Sequence, residues 1–314
     1  MSAVARNLAR FAVMALLFTI VGCIQSWDVS RTLLNMCIIS AIMALGVNIQ
    51  WGYAGLFNVG TMGFAALGGL AAMLVSVPPV TAAWQAGGMG IFGAILAALL
   101  TVAAGMYTWR RTAGLGRRRY WLTGLVTLVG YVVLRLIADP AIAAIEAVDA
   151  TTSGFLGGVG MPIILSWVVG GVFAAGAAWV VGKISLGLRS DYLAIATLGI
   201  SEIIIYFLKF EEWLTRGVKN VTGLPRPVPY EVNLKQSEAF QAWATGLGMK
   251  LETAASITVK LCYAGLFASV LLVVLYLSEV ALRSPWGRMM RAIRDNETAA
   301  AAMGKNVTSR HLQV

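Results

Sequence analysis

Apolar runs long enough to cross a bilayer recur along this chain and leave it few ways to fold. A helix needs about 20 mostly apolar residues to span about 30 Å of hydrocarbon. Eight runs of roughly that length can be read: 11–27, 32–50, 56–77, 88–108, 120–138, 161–182, 191–208 and 259–282. Hydrocarbon offers the backbone no water to bond, so such runs fold as helices. Of 314 residues, 59% are hydrophobic and 12% charged, whereas a soluble domain carries about 25% charged residues. The 34 glycines suit membrane helices, where glycine is enriched. The expected fold is therefore an all-α membrane protein. It is a polytopic helical bundle of about eight transmembrane or re-entrant segments, in a single domain over 1–314. The Gly-rich run 56–77 is the candidate for a broken or re-entrant segment.

Charge sets the direction of the spans. With Arg6 and Arg10 in the cytoplasm, eight crossings also place Arg110, Arg111 and Arg117 to Arg119 there, along with Lys183, Arg189 and the basic tail from Arg283. That puts 15 of the 24 Lys and Arg in short cytoplasmic segments, as the positive-inside rule requires. Both ends are then cytoplasmic, and 209–258 is a long external loop of mixed sign, with one short helix expected at 236–249. The first run has a second reading as a cleaved signal peptide, since Ile20-Val21-Gly22-Cys23 looks like a loose lipoprotein cleavage box; an uncleaved helix is the simpler one.

The net charge of +10 lies in clusters between apolar runs, a pattern unlike a nucleic-acid face. Cys23, Cys37 and Cys262 are far apart and in apolar runs, and His311 is the one histidine. No metal site or disulfide framework is expected. No GxxxxGK[ST] phosphate loop is present, so any work with ATP falls to a partner. No enzymatic activity and no cofactor are expected in this chain.

The stretch 284–304 reads as one short amphipathic helix. Ser284 suits the N-cap, Pro285 the first helical position and Gly304 the C-terminus. Met289, Ile293, Ala300 and Met303 form the apolar stripe. On physical grounds alone it is a basic helix lying on anionic membrane lipid. The segment Arg291 to Glu297, followed by Ala299-Ala300 and Gly304, also resembles the coupling loop of ABC-importer permeases, with Thr298 where that family often has an aliphatic residue. The block from Ala44 to Gly60 (ALGVNIQWGYAGLFNVG) resembles the signature of branched-chain amino acid importer permeases. Ser190 to Ile204 and Asn220 to Pro225 resemble blocks of the LivM-type subunit of those importers. The matching region runs from about 40 to the end, with 78–160 matching poorly.

The resemblance implies a permease subunit of a bacterial inner-membrane ABC importer for branched-chain or other hydrophobic amino acids. Its implied partners are a second homologous permease, two ABC ATPases carrying ATP and Mg, and a periplasmic substrate-binding protein. Arg291, Arg294, Asn296, Glu297, Ala300 and Gly304 would couple to an ATPase. Asn48, Asn58 and Thr61, polar groups in or beside apolar spans, are candidates for the substrate path; Tyr53 and Thr197, in the matching blocks, join them. Glu202 sits mid-span, where a charge costs about 2.5–3.5 kcal/mol on insertion scales. It should therefore face the bundle interior, be paired or be protonated, with structural pairing and path lining both open. Arg135, near a span end, can snorkel outward. Family members continue with further spans past the coupling helix, so this chain is expected to lack them. Competing readings are a permease for urea or short amides, an ion-coupled transporter or channel, and a membrane subunit without a path.

Overall fold

The computed structural model describes residues 3–314 except 115, 149–153, 218, 220 and 222. Among the described residues every regular element is helical. Helices α1 (Ala3–Ile24) and α2 (Trp27–Val47) form a hairpin, and α2 runs into a π-helical turn at Asn48–Tyr53. Next come α3 (Thr61–Ser76), α4 (Thr81–Ala83), a second π-helical turn at Trp84–Gly88, and α5 (Met89–Arg111). Helices α6 (Arg118–Glu146), α7 (Ile163–Ser185) and α8 (Ser190–Phe210) follow. The long loop holds α9 (Glu212–Thr215), α10 (Glu231–Gln236) and α11 (Glu238–Gly246), three short helices where one was expected. Then come α12 (Leu251–Arg283), α13 (Pro285–Asp295), α14 (Glu297–Ala302) and α15 (Val307–His311).

Each of the eight apolar runs contributes a helix, and among the described residues seven of these helices are long and apolar enough to cross a membrane. The exception is α3. Its 16 residues reach about 24 Å at 1.5 Å per residue, short of the hydrocarbon thickness. The apolar run begins at 56, but Gly55 takes a left-handed φ of +75° and Asn58 turns the chain. The Asn58 Oδ1 accepts from the Gly60 N–H at 2.9 Å, which holds 55–60 out of the helix. The far end of α3 is closed by protein backbone. The amides of Gly158, Val159 and Met161 donate to the carbonyls of Val77, Leu74 and Val75 at 3.1, 3.0 and 2.8 Å. Such pairing is what permits non-helical backbone at membrane depth.

The chain divides into two compact units. One comprises 62–176 and 202–225. Here α5 and α6 pack through small residues. A Cβ at Gly105 would lie 3.2 Å from Thr127, and one at Gly130 would strike Thr101. Close approach of this kind is the packing device of membrane helices. The turn between the two helices carries clustered arginines; Arg119 lies 3.6 Å over the Trp109 ring and donates to its carbonyl at 2.8 Å. The apolar run ends at 138. In the structure the helix continues through Pro140, and Ala141 and Ile145 join a buried cluster with Ala83, Ile91 and Leu156.

The other unit comprises 1–61, 177–201 and 226–314. The α1–α2 hairpin is closed by the Ser26 side chain, which accepts from the Val29 amide, and by Ser30 Oγ donating to the Phe18 carbonyl at 2.7 Å. Helices α2 and α12 run parallel. At one end the Lys260 ammonium pairs with the Asp28 carboxylate at 2.5 Å. Ser256 Oγ donates to the other Asp28 oxygen at 2.5 Å, and the Asn35 amide donates to the Lys260 carbonyl at 3.1 Å. At the other end Asn48 and Tyr53 share a cavity with Leu275 to Arg283.

The Asp28–Lys260 pair clamps two spans, so breaking it has a measurable cost. Removing one partner of a fully buried pair costs about 3–5 kcal/mol. Here both side chains are partly exposed (38% and 26%), so the expected cost is smaller, about 1–2 kcal/mol. Asp28→Asn and Lys260→Met should each lower the thermal melting temperature of the purified chain. The double variant should lose less than the sum of the two, a non-additivity that a double-mutant cycle reads directly.

Candidate functional site

The π-helical turn at Asn48–Tyr53 ends α2 with its polar groups offset from the regular ladder, a geometry frequent at functional sites. Glycine is needed at Gly52, since a Cβ there would strike the Asn48 carboxamide. Gln50 holds the following segment: its Oε1 accepts from Asn58 Nδ2 at 3.1 Å and its carbonyl from the Leu56 amide at 3.0 Å. Thr197 on α8 is buried. Its Oγ1 accepts from the Val59 N–H at 3.2 Å and donates to the Ala194 carbonyl at 3.0 Å. A Cβ on Gly60 would lie 2.5 Å from the Thr197 carbonyl, which seats segment 55–60 against α8.

The six candidate path residues thus separate. Asn48 and Tyr53 line one cavity of about 330 Å³ at the foot of α2 and α12. Asn58 and Thr197 are engaged in the hydrogen bonds that shape 55–60. Thr61 opens α3, half-buried. Glu202 lies on α8 in the other unit, exposed on the chain's surface. Among the described residues it makes no ion pair.

The tail departs from the single helix expected at 284–304. It is two helices, α13 and α14, broken at Asn296, which is extended (φ −157°, ψ 98°). The cause is local: Asn296 Oδ1 accepts from the Ala299 N–H at 2.9 Å and caps α14. Ser284 also does something other than cap by its side chain. Its Oγ donates back to the Ala281 carbonyl at 2.6 Å, while Pro285 occupies the first turn of α13. Gly304 follows α14 with φ +77°, a left-handed helix end that glycine adopts freely.

The apolar face of α13 packs on its own chain. Met290 and Ile293 are buried with Ala54 and Val307, with Leu56, Trp286 and Ala300 around them. Met290, missing from the stripe read in the sequence, is fully buried, whereas Met303 is 80% exposed. Outward, Met289, Ala292, Ala299, Ala300 and Met303 line an apolar groove of about 330 Å³ between α13 and α14.

The basic residues of the tail also turn inward. Arg294 Nη1 donates to the Gly52 carbonyl at 2.5 Å, and its other nitrogens hold Asp295. A Cβ on Gly55 would come within 2.8 Å of the Arg294 side chain. Arg291 staples the α12–α13 elbow through the carbonyls of Leu282 and Gly287 at 3.3 and 3.4 Å. So Arg291, Arg294 and Asn296 bond within their own chain, while Glu297 and Gly304 are exposed and Ala300 is half-buried. Glu279 and Arg283, which line the cavity with Asn48 and Tyr53, carry no signal in the sequence beyond their spacing of four on α12.

Residues 141–314 match the family described as "branched-chain amino acid transport system / permease component". The resembling segments at 190–204, 220–225 and 291–304 lie inside this match, and the block at 44–60 lies outside it. The chain is 33% identical over 141 residues to the high-affinity branched-chain amino acid transport system permease protein LivM of Escherichia coli K12. That covers 43% of this chain and 32% of the relative. It is 33% identical over 143 residues to the protein of the same name from Salmonella typhimurium, covering 44% and 32%. The chain thus spans about a third of the length of the curated relatives it matches. No solved structure matches it.

Two outcomes follow from the tail's packing. Gly55→Ala, at a left-handed position facing Arg294, should destabilise the chain by at least the ~1–2 kcal/mol of left-handed strain. Protease sensitivity between α12 and α15 should rise with it. His311 titrates in the same region. Burial pushes its imidazole below the ordinary histidine range, partly opposed by the Glu297 carboxylate, and its Nε2 is buried without a partner. The folded tail therefore favours the neutral ring, so the unfolded chain takes up the proton first. Stability from this contact is full above about pH 6.5 and falls as pH drops through that value. Melting temperature should decline on acidification, and His311→Asn should flatten that part of the decline.

Proposed function

The chain belongs to the family of permease components of branched-chain amino acid transport systems, and from that premise we propose that it is the membrane-spanning permease subunit of an ABC importer for branched-chain or other hydrophobic amino acids. In this reading it is one permease domain in the bacterial inner membrane, with both described ends cytoplasmic. A second homologous permease pairs with it. Two ABC ATPases supply Mg–ATP hydrolysis, and a periplasmic binding protein delivers substrate to the outer face. No substrate bond is made or broken in this chain, and it needs no cofactor of its own.

The observation that carries the mechanism is the contact of Arg294 with the Gly52 carbonyl. Helix α13 follows the 33-residue α12 after a one-residue elbow, and its inner face is bonded to the π-helical turn that bears Asn48 and Tyr53. Its outer side, with α14, offers an apolar groove and an exposed Met303 to a partner. When ATP closes the ATPases, α13 and α14 move as a stiff unit. That displacement reaches the end of α2 through Arg294, Met290 and Ile293, and reaches α12 through the elbow. The spans respond by shifting between two openings, as any coupled two-state element must.

The test is uptake. Vesicles holding the full-length permease, its partner permease and the ATPases should accumulate leucine, isoleucine and valine only with internal ATP and external binding protein. Met303→Asp places a charge in the apolar groove. It should leave the chain's stability within about 0.5 kcal/mol of the parent, as for other exposed substitutions, and lower recovery of the ATPase on co-purification. Leucine transport by the membrane chain alone down an ion gradient would contradict the proposal, and ATP-driven uptake of urea in place of leucine would revise its substrate.

A further inference from the structure

The cavity at the foot of α2 and α12 has a lining that path residues alone do not account for. Leu45, Leu275 and Leu282 give it an apolar floor. A carboxylate and two guanidinium groups stand on its walls: Glu279 and Arg283 from α12, and Arg291 from α13. The π-helical turn adds the Asn48 amide and the Tyr53 hydroxyl. Arg291 uses Nε and Nη2 on backbone carbonyls at 3.4 and 3.3 Å, and its Nη1 has no partner among the described residues. Glu279 and Arg283 pair with each other one helical turn apart, with side chains 60% and 80% exposed. A pair that exposed contributes little, so a ligand can open it at small cost.

Both signs of charge beside an apolar floor, in about 330 Å³, match one ligand class: a zwitterion with an aliphatic side chain. We propose that this cavity is a binding site for a free aliphatic amino acid. The ligand carboxylate bonds the guanidinium groups of Arg283 and Arg291, its ammonium bonds Glu279, and its side chain covers the leucines. The site lies on the face that carries α13. Under the functional reading above, on which this assignment of sides rests, that face is cytoplasmic and the ligand is the delivered product. An occupant touches α2's end, α12 and α13 together, so it adds a further tie between the elbow and the π-helical turn, which move as one body.

Binding of radiolabelled leucine to the full-length permease, purified without ATPases, tests this directly and needs no transport. Saturable binding is expected, weakened about tenfold in both Glu279→Gln and Arg283→Gln, the size expected for one lost charge-assisted contact. Both side chains are on the surface, and an unchanged melting temperature verifies that the variants fold. 4-Methylpentanoate and 3-methylbutylamine, each lacking one of leucine's charges, should compete poorly. Absence of saturable binding, wild-type affinity in both variants, or equal competition by 4-methylpentanoate would each overturn the site. Failure of ATP-driven uptake would overturn the importer reading instead and leave the binding result standing.

Discussion

Every backbone N–H and C=O that leaves a helix at membrane depth must find a partner inside the protein, because hydrocarbon supplies none. The structure meets this demand at both ends of α3. Before it, the amides of Leu56, Val59 and Gly60 donate to the Gln50 carbonyl, Thr197 Oγ1 and Asn58 Oδ1. After it, the last carbonyls of α3 and of Val77 receive the amides of 158–161. Only because these groups are satisfied can a 16-residue helix sit among spans of full length. The π-helical turn at Asn48–Tyr53 belongs to the same economy. Its Gly52 carbonyl is taken by Arg294, 242 residues away.

That last bond ties membrane to tail. Helices α2 and α12 are held at one end by Asp28 and Lys260 and at the other by the α13 elbow. The 33 residues of α12 reach about 50 Å at 1.5 Å per residue, longer than the hydrocarbon layer. A stiff element of that length, fastened at both ends to a neighbour, passes a displacement along rather than absorbing it. The glycine at 55 is required twice, by its left-handed φ and by the Arg294 side chain beside it.

What could be read from the sequence follows the range of the forces involved. Spans were legible because twenty apolar residues can do only one thing in a bilayer. The weakness of the 56–77 run was legible because Gly55, Asn58 and Gly60 are turn residues. The helix end at Gly304 was equally local. Contacts between distant residues were not legible. Lys260 looks like a stray charge in an apolar run until Asp28, 232 positions earlier, is placed beside it. Arg294 reads as an outward-facing cation until the fold presents it with the Gly52 carbonyl. Asn296 has the composition of a partner contact, yet it caps a helix. Glu202 was expected to be interior, paired or protonated, and the chain by itself leaves it exposed. The family resemblance at 190–204 and 291–304 falls within the matched residues 141–314, whereas Asn220 and Thr222 of the third block lie outside the described residues.

The proposed coupling requires that α13 and the π-helical turn of α2 move as one body. Spin labels on Trp51→Cys and Arg288→Cys, with Cys23, Cys37 and Cys262 replaced, report the distance between them in the assembled transporter. The expected result is the same distance distribution without nucleotide and with ATP bound. A distribution that shifts or splits on ATP binding would show α13 sliding past the turn and would contradict it.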